Sequence, residues 1–131
     1  MPVKRKDAMC VPNPDSKNVL LVEDDDLQRL YFREELEREG YQVRSAGDGR
    51  EALKEIAEER PGAVIMDVVM PGMDGIQTLS RVKSCYPTLP VILHSSHPGY
   101  RDNYLCWVAD DFVTKSTDTA PLKLALRRFL P

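Results

Sequence analysis

The sequence predicts an α/β protein, a flavodoxin-like doubly wound parallel sheet with helices on both faces. Short, wholly apolar runs recur along the chain, and such runs are typical of strands that are buried on both faces. The segments between them carry apolar residues at helical spacing. Alternation of strands and helices favours right-handed βαβ units, and therefore a parallel sheet.

Five strands are predicted from the apolar runs, each bounded by a turn or a charged segment. They are Val19–Val22, Tyr41–Ala46, Ala63–Met66, Pro90–Leu93 with its end near Ser95, and Phe112–Thr114. The first run ends in Glu23-Asp24-Asp25-Asp26, the third ends at Asp67 and the fifth ends at Lys115.

Helical spacing predicts a helix after each of the first three strands and another that closes the chain. The apolar positions are Leu27, Leu30, Tyr31, Phe32 and Leu36 before the stop at Gly40; Ala52, Leu53, Ile56 and Ala57; Ile76, Leu79 and Val82; and Leu122, Leu124, Ala125, Leu126 and Phe129. Asp25 and Asp26 are better explained as the N-terminal cap of the first helix than as additional metal ligands.

Size and composition indicate one soluble domain. The chain has 131 residues and a net charge of −3, without the basic excess of a general nucleic-acid binder. Cys10, Cys85 and Cys106 form an odd set without metal-type spacing, which points to a reducing cytoplasm. The sequence shows no apolar stretch long enough to span a membrane.

Residues 1–17, with three prolines and no apolar periodicity, are predicted to be a flexible leader before a domain at 18–131.

Charged and polar side chains follow the carboxyl ends of four predicted strands. They are Glu23 and Asp24, then Asp67, then Ser95, then Lys115. In open parallel sheets, binding sites form beyond this edge, so these side chains are expected to converge. A lone aspartate at the position of Asp67 would be interpreted as a solvent-facing carboxylate. Its four partners favour a functional site instead.

This set of side chains suits phosphoryl transfer to a carboxylate. Clustered carboxylates repel one another unless a cation joins them, and oxygen ligands with room for water suit Mg²⁺. A lysine ammonium can pair with phosphate oxygens, and a serine hydroxyl can donate a further hydrogen bond. Positioning and charge neutralisation provide most of the catalysis in such reactions. His94 and His97 have no convincing zinc-site spacing.

These motifs resemble response-regulator receiver domains, the chemotaxis-receiver type of two-component signalling. The similar segments are Val22-Glu23-Asp24-Asp25, Met66-Asp67, Met70-Pro71-Gly72-Met73-Asp74-Gly75, Ser95-Ser96 and Phe112-Val113-Thr114-Lys115. The resemblance covers residues 18–130 and implies a (βα)₅ sheet with strand order 2-1-3-4-5.

The resemblance also implies roles for individual residues. Asp67 would accept the phosphoryl group from a histidine kinase or phosphotransfer protein, and Lys115 would pair with it. Mg²⁺ would be bound by Asp67 and Asp24, by Glu23 through water, and by the backbone carbonyl of Val69. Ser95 would move toward the phosphoryl group, and Phe112 would be the switch aromatic.

The resemblance implies that the phosphorylated state is passed to a partner through one surface. This surface is formed by the helix between the fourth and fifth strands, the fifth strand and the closing helix. Exposure of Leu105 and Trp107 there would favour a partner or a homodimer at that surface. The chain departs from the family in this region. Ser116 replaces the usual proline after the lysine, so the Lys115–Ser116 bond is free to be trans. Val108 replaces the helix-ending glycine, and the expected helix is short.

Three other functions fit less well. A haloacid-dehalogenase-type phosphatase needs a second acid two residues after Asp67, where this chain has Val69. A degenerate receiver that only mediates protein contacts is disfavoured because every catalytic position is kept. A calcium-binding module fails because the acidic run lacks the glycine and late glutamate of a calcium loop.

Overall fold

The structure is a computed structural model that describes residues 17–68, 75–96 and 107–131. A helix follows each of the first three strands and another follows the fifth, as the sequence predicts. The strands and helices are β1 (Asn18–Val22), α1 (Asp26–Arg38), β2 (Gln42–Ala46), α2 (Gly49–Glu58), β3 (Ala63–Met66), α3 (Gly75–Cys85), β4 (Val91–Ser95), β5 (Asp111–Thr114) and the closing helix α4 (Ala120–Phe129).

The five strands form one parallel sheet in the order β2-β1-β3-β4-β5, which confirms the predicted topology. The register aligns the carboxyl ends of the central strands, with Val22 of β1 opposite both Ala46 of β2 and Met66 of β3. The residues that follow these strands are thereby brought to one edge of the sheet.

Alternating residues of each strand build a core on each face of the sheet. Leu20 and Val22 of β1 belong to the cluster covered by α2 and α3, whereas Val19 and Leu21 belong to the cluster covered by α1 and α4. The central strands β1, β3 and β4 are almost entirely buried, which is why their sequences are continuous apolar runs.

Local signals fix both ends of α1. The Asp25 carboxylate caps its N-terminus by accepting a hydrogen bond from the Gln28 N–H at 2.9 Å, as predicted. At the other end Gly40 has φ 95°, and the N–H groups of Gly40 and Tyr41 donate to the carbonyls of Glu37 and Leu36. This Schellman arrangement turns the chain directly into β2.

The apolar spacing predicted α1 correctly but not which residues it buries. Phe32 and Leu36 face the core, whereas Leu27, Leu30 and Tyr31 are 79%, 53% and 41% exposed. The starts of four strands also differ by one residue, since they lie at Asn18, Gln42, Val91 and Asp111 for β1, β2, β4 and β5. Tyr41 lies outside the strand but is buried, because its ring packs in the cluster under α1 and α4.

Several predictions fall on residues outside the described part of the chain. These are the leader, apart from Lys17, the loop at 69–74, and most of the helix expected between β4 and β5. The described end of that last segment is a short 3₁₀ turn at Trp107 and Val108. Within the described ranges all peptide bonds are trans, including Lys115–Ser116. Among those same residues we find no helix with the length and apolarity needed to cross a membrane.

Gly75 lets α3 approach the end of β3 closely. Its N–H donates to the Val68 carbonyl at 2.9 Å. A Cβ atom at this position would lie 2.6 Å from the Cα of Val68 and would also overlap the Asp67 carbonyl. These are backbone atoms that cannot move aside without displacing Asp67, so the start of α3 requires a glycine.

We therefore expect Gly75→Ala to destabilise the protein by about 1–3 kcal/mol through overpacking. Gly47→Ala is the matched control, because its Cβ would meet its nearest neighbour at an ordinary 3.7 Å. The free energy of unfolding of both variants can be measured by urea denaturation. An equal, small effect of the two substitutions would show that the start of α3 is not packed as described.

Candidate functional site

The sheet fixes the backbone of each residue predicted for the site. The Glu23 N–H donates to the Ala46 carbonyl at 3.0 Å, and the Asp67 N–H donates to the Val22 carbonyl at the same distance. The Lys115 N–H donates to the Ser95 carbonyl at 2.8 Å. These bonds extend the strand pairing beyond the last strand residues, so the side chains are held at one edge of the sheet.

The Lys115 ammonium lies at the centre of this edge and uses all three of its protons. Its Nζ atom is 2.5 Å from Glu23 Oε1, 2.7 Å from Gln28 Oε1 and 3.1 Å from Asp67 Oδ2. The same atom therefore forms ion pairs with two carboxylates that come from different strands. This one nitrogen therefore links α1 to the ends of three strands, β1, β3 and β5.

The two carboxylates bound to Lys115 are buried. Glu23 is 2% and Asp67 7% exposed. Burial raises the pKa of the Glu23 carboxyl above its usual value, although hydrogen bonds from Lys115 and the Asp25 N–H act in the opposite direction. Burial alone would lower the pKa of Lys115, but the hydrogen bond to Glu23 and the charges of Asp67 and Glu23 outweigh it. The pKa of Lys115 is therefore raised, and the ammonium stays charged at neutral pH.

The acidic residues at this edge suit a hard divalent cation. Glu23, Asp24 and Asp67 each offer a carboxylate oxygen, and these oxygens lie within 4.8 Å of one another. Asp24 is exposed whereas the other two are buried, so the cluster opens to solvent on one side. An oxygen-only donor set with room for water is the type that Mg²⁺ prefers.

The remaining predicted residues lie around this cluster. Ser95 ends β4 and is fully buried. Phe112 of β5 is half-buried and packs against the core under α2 and α3. Val69, whose backbone carbonyl was predicted to bind the cation, belongs to the loop outside the described residues.

The sequence did not suggest Gln28 as a site residue. Its amide oxygen accepts a hydrogen bond from Lys115, the residue that directly follows β5. A glutamine three residues after a capping aspartate would ordinarily be assigned to the helix cap. No local signal points to a lysine 87 positions further along the chain.

His94 is a buried structural residue of β4. It is 3% exposed, and its ring packs edge-on against Phe32 with the centroids 4.6 Å apart. Burial, assisted by the charge of Lys115, lowers the pKa of His94 to about 3. The imidazole is therefore neutral at physiological pH and does not act as a charged group beside the cluster.

A shallow groove of about 360 Å³ runs along α1 next to the carboxylate cluster. Its lining includes Leu27, Gln28, Tyr31, Lys115 and Thr117. The Tyr31 hydroxyl donates to the Thr117 carbonyl at 2.7 Å, which ties α1 to the loop after β5. The groove gives the site an apolar approach from solvent.

Comparison with known proteins identifies the family. The sequence model of the response regulator receiver domain matches residues 19–127. The chain belongs to this family. Among curated proteins, the transcriptional regulatory protein CseB of Streptomyces coelicolor is 38% identical over 121 residues, which cover 88% of this chain and 51% of CseB. The chain thus spans about half the length of the curated relatives it matches.

Solved receiver domains share the fold. The response regulator TrrA of Thermotoga maritima, solved in complex with Mg²⁺-BeF, aligns with a TM-score of 0.84 and 32% identity over 86% of this chain and 98% of TrrA. TrrA in complex with the histidine kinase ThkA aligns with a TM-score of 0.82 and 32% identity over 87% of this chain and 98% of that chain. This chain is accordingly a receiver domain of two-component signalling, and its homologues are response regulators rather than classical enzymes.

Proposed function

We propose that this receiver domain accepts a phosphoryl group onto Asp67 from the phosphohistidine of a histidine kinase or phosphotransfer protein. The observation that carries the proposal is the position of the Lys115 ammonium, which contacts the carboxylates of Asp67 and Glu23 at the carboxyl edge of the sheet. A carboxylate beside a fixed cation, within a cluster that suits Mg²⁺, is arranged to receive a negatively charged phosphoryl group. The solved complex of TrrA with a histidine kinase supports the nature of the donor.

In the proposed reaction an oxygen of Asp67 attacks phosphorus. A P–O bond to Asp67 forms while the P–N bond to the donor imidazole breaks, and that ring takes up a proton as it leaves. Lys115 exchanges its contact with the Asp67 carboxylate for one with a phosphoryl oxygen. The Ser95 hydroxyl donates a hydrogen bond to another phosphoryl oxygen. The protein thus contributes positioning and charge neutralisation.

We propose that Mg²⁺ is the cofactor, bound by Asp24 and Asp67 directly, by Glu23 through water and by the backbone carbonyl of Val69. The clustered oxygens of the three acidic side chains support this assignment, and TrrA has been solved with Mg²⁺-BeF. The ion would neutralise charge that develops on the phosphoryl oxygens.

The phosphorylated state is proposed to be transmitted through Ser95 and Phe112. Movement of Ser95 toward the phosphoryl group would free space into which the half-buried Phe112 ring can turn. The surface that changes would comprise β5, the closing helix α4 and the segment before β5. That surface already exposes apolar side chains, since Trp107 is 73% and Leu124 is 59% exposed. Exposed apolar area of this kind favours an output partner or a homodimer.

The cellular setting is also a proposal. A cytoplasmic location fits the odd number of cysteines, which points to a reducing compartment. The net charge of −3 gives this domain no general affinity for nucleic acid. Relatives such as CseB are named as transcriptional regulatory proteins. If this chain also affects transcription, we propose that it does so through partners or further domains.

Asp67 is expected to be the phosphoacceptor. Treatment with acetyl phosphate and Mg²⁺ should add one phosphoryl group to the wild type and none to Asp67→Asn, as measured by intact-protein mass spectrometry. Asp48→Asn is the matched control, because it removes a charge at the same edge of the sheet and asparagine still caps α2. It should be modified like the wild type. A phosphoryl adduct of undiminished yield in Asp67→Asn would refute the assignment.

Activation is expected to change the proposed output surface. Beryllofluoride, which mimics the aspartyl phosphate, should alter amide hydrogen exchange at residues 96–115 and in α4, because Ser95 and Phe112 move together. Asp67→Asn treated in the same way should show no change and serves as the control. Changes confined to the loops that follow β1 and β3 would mean that the output surface has been assigned wrongly.

A further inference from the structure

We propose that Gln28 is a positioning residue for phosphoryl transfer, which keeps the Lys115 ammonium beside Asp67 when Mg²⁺ engages the carboxylates. The inference rests on the proposed function and adds a residue to its site. It starts from the contact of 2.7 Å between Lys115 Nζ and the Gln28 amide oxygen.

The three acceptors of the ammonium are not equivalent. Glu23 and Asp67 are charged, and they belong to the cluster that suits a divalent cation. Gln28 is neutral and lies outside that cluster. A cation that draws the two carboxylates toward itself would weaken their bonds to Lys115 by competition and by repulsion. The bond to Gln28 is the one of the three that such a cation leaves in place.

The helix cap leaves Gln28 free for this role. In a capping box, a glutamine at this position would accept a hydrogen bond from the N–H of the capping residue. Here the N–H of Asp25 donates instead to Glu23 Oε2 at 3.2 Å. The Gln28 backbone N–H is still bound by the Asp25 carboxylate, which fixes the residue in the first turn of α1. Its side chain is therefore held near the site while its amide oxygen remains available to Lys115.

The chemistry of the amide fits a site that must bind a cation and an anion in turn. An ammonium has donors and no acceptor, so the oxygen of Gln28 faces it. A carboxylate in place of this amide would compete for Mg²⁺ and would repel the incoming phosphoryl group. A neutral oxygen acceptor does neither, and it orients the lysine without adding charge.

The first test separates positioning from metal binding. Gln28→Met keeps the length of the side chain and removes the amide acceptor. The rate of phosphorylation by acetyl phosphate at saturating Mg²⁺ should fall about three- to tenfold, as expected for loss of one exposed hydrogen bond to a charged group. The Mg²⁺ dissociation constant, measured by calorimetry, should stay within twofold of the wild type. Gln42→Met, at the opposite edge of the sheet, is the matched control and should change neither quantity.

The second test measures Lys115 directly and does not depend on activity. Limiting acetic anhydride labels accessible amines, and mass spectrometry can quantify the label on Lys115. With Mg²⁺ present, labelling should be several-fold greater in Gln28→Met than in the wild type. Without Mg²⁺ the difference should be less than twofold, because Glu23 and Asp67 still bind the ammonium. Gln28→Glu, which retains an acceptor, should keep Lys115 as protected as in the wild type when Mg²⁺ is absent.

Three results would overturn the role of Gln28. They are equal labelling of wild type and Gln28→Met with Mg²⁺, an increase of the same size with and without Mg²⁺, and a loss of Mg²⁺ affinity that accounts for the slower phosphorylation. If the wild type is not phosphorylated at Asp67 but the labelling pattern is as expected, the proposed function fails and the positioning of Lys115 by Gln28 stands.

Discussion

One ammonium balances the carboxylates that the sheet brings together. Glu23, Asp24 and Asp67 offer oxygens within 4.8 Å of one another, and two of the three side chains are buried. Like charges at such distances repel strongly when water is excluded. The Lys115 ammonium offsets this repulsion by pairing with Glu23 and Asp67. Breaking a buried pair of this kind by removing one partner is costly, because it leaves the other charge uncompensated.

The fold supplies the rigidity that this arrangement needs. Each charged residue follows a strand whose backbone is bonded to its neighbours up to the last residue. The strands are anchored by apolar cores on both faces of the sheet. Gly75 allows α3 to pack directly on the backbone of Asp67 and Val68, which holds Asp67 in place. The proposed binding of Mg²⁺ beside the ammonium would therefore require no change in the sheet itself.

The sequence predicts which side chains converge where position along a strand determines position in space. Glu23, Asp67 and Lys115 could be placed together because each directly follows a predicted strand, and parallel strands align those ends. Gln28 could not be identified in this way. Its partner depends on which acceptor takes the Asp25 N–H, and that competition is settled only by the three-dimensional position of Glu23.

Burial along α1 was predicted only in part. With 3.6 residues per turn, Leu27, Leu30 and Tyr31 lie about 100° or more around the helix from Phe32, so they turn away from the core and are exposed. Leu27 and Tyr31 line the groove next to Lys115. Apolar residues on a helix beside a reactive site are thus easily mistaken for core residues when only their spacing is known.

The affinity for Mg²⁺ in the absence of Lys115 tests most directly whether this ammonium and the metal neutralise the same carboxylates. Calorimetric titration of Lys115→Met should show Mg²⁺ binding several-fold more tightly than to the wild type, because a competing positive charge has been removed. Lys123→Met is the control, since Lys123 also pairs with two carboxylates, Glu35 and Glu39, but near the C-terminal end of α1. It should bind Mg²⁺ like the wild type. Unchanged or weaker binding in Lys115→Met would contradict the shared site.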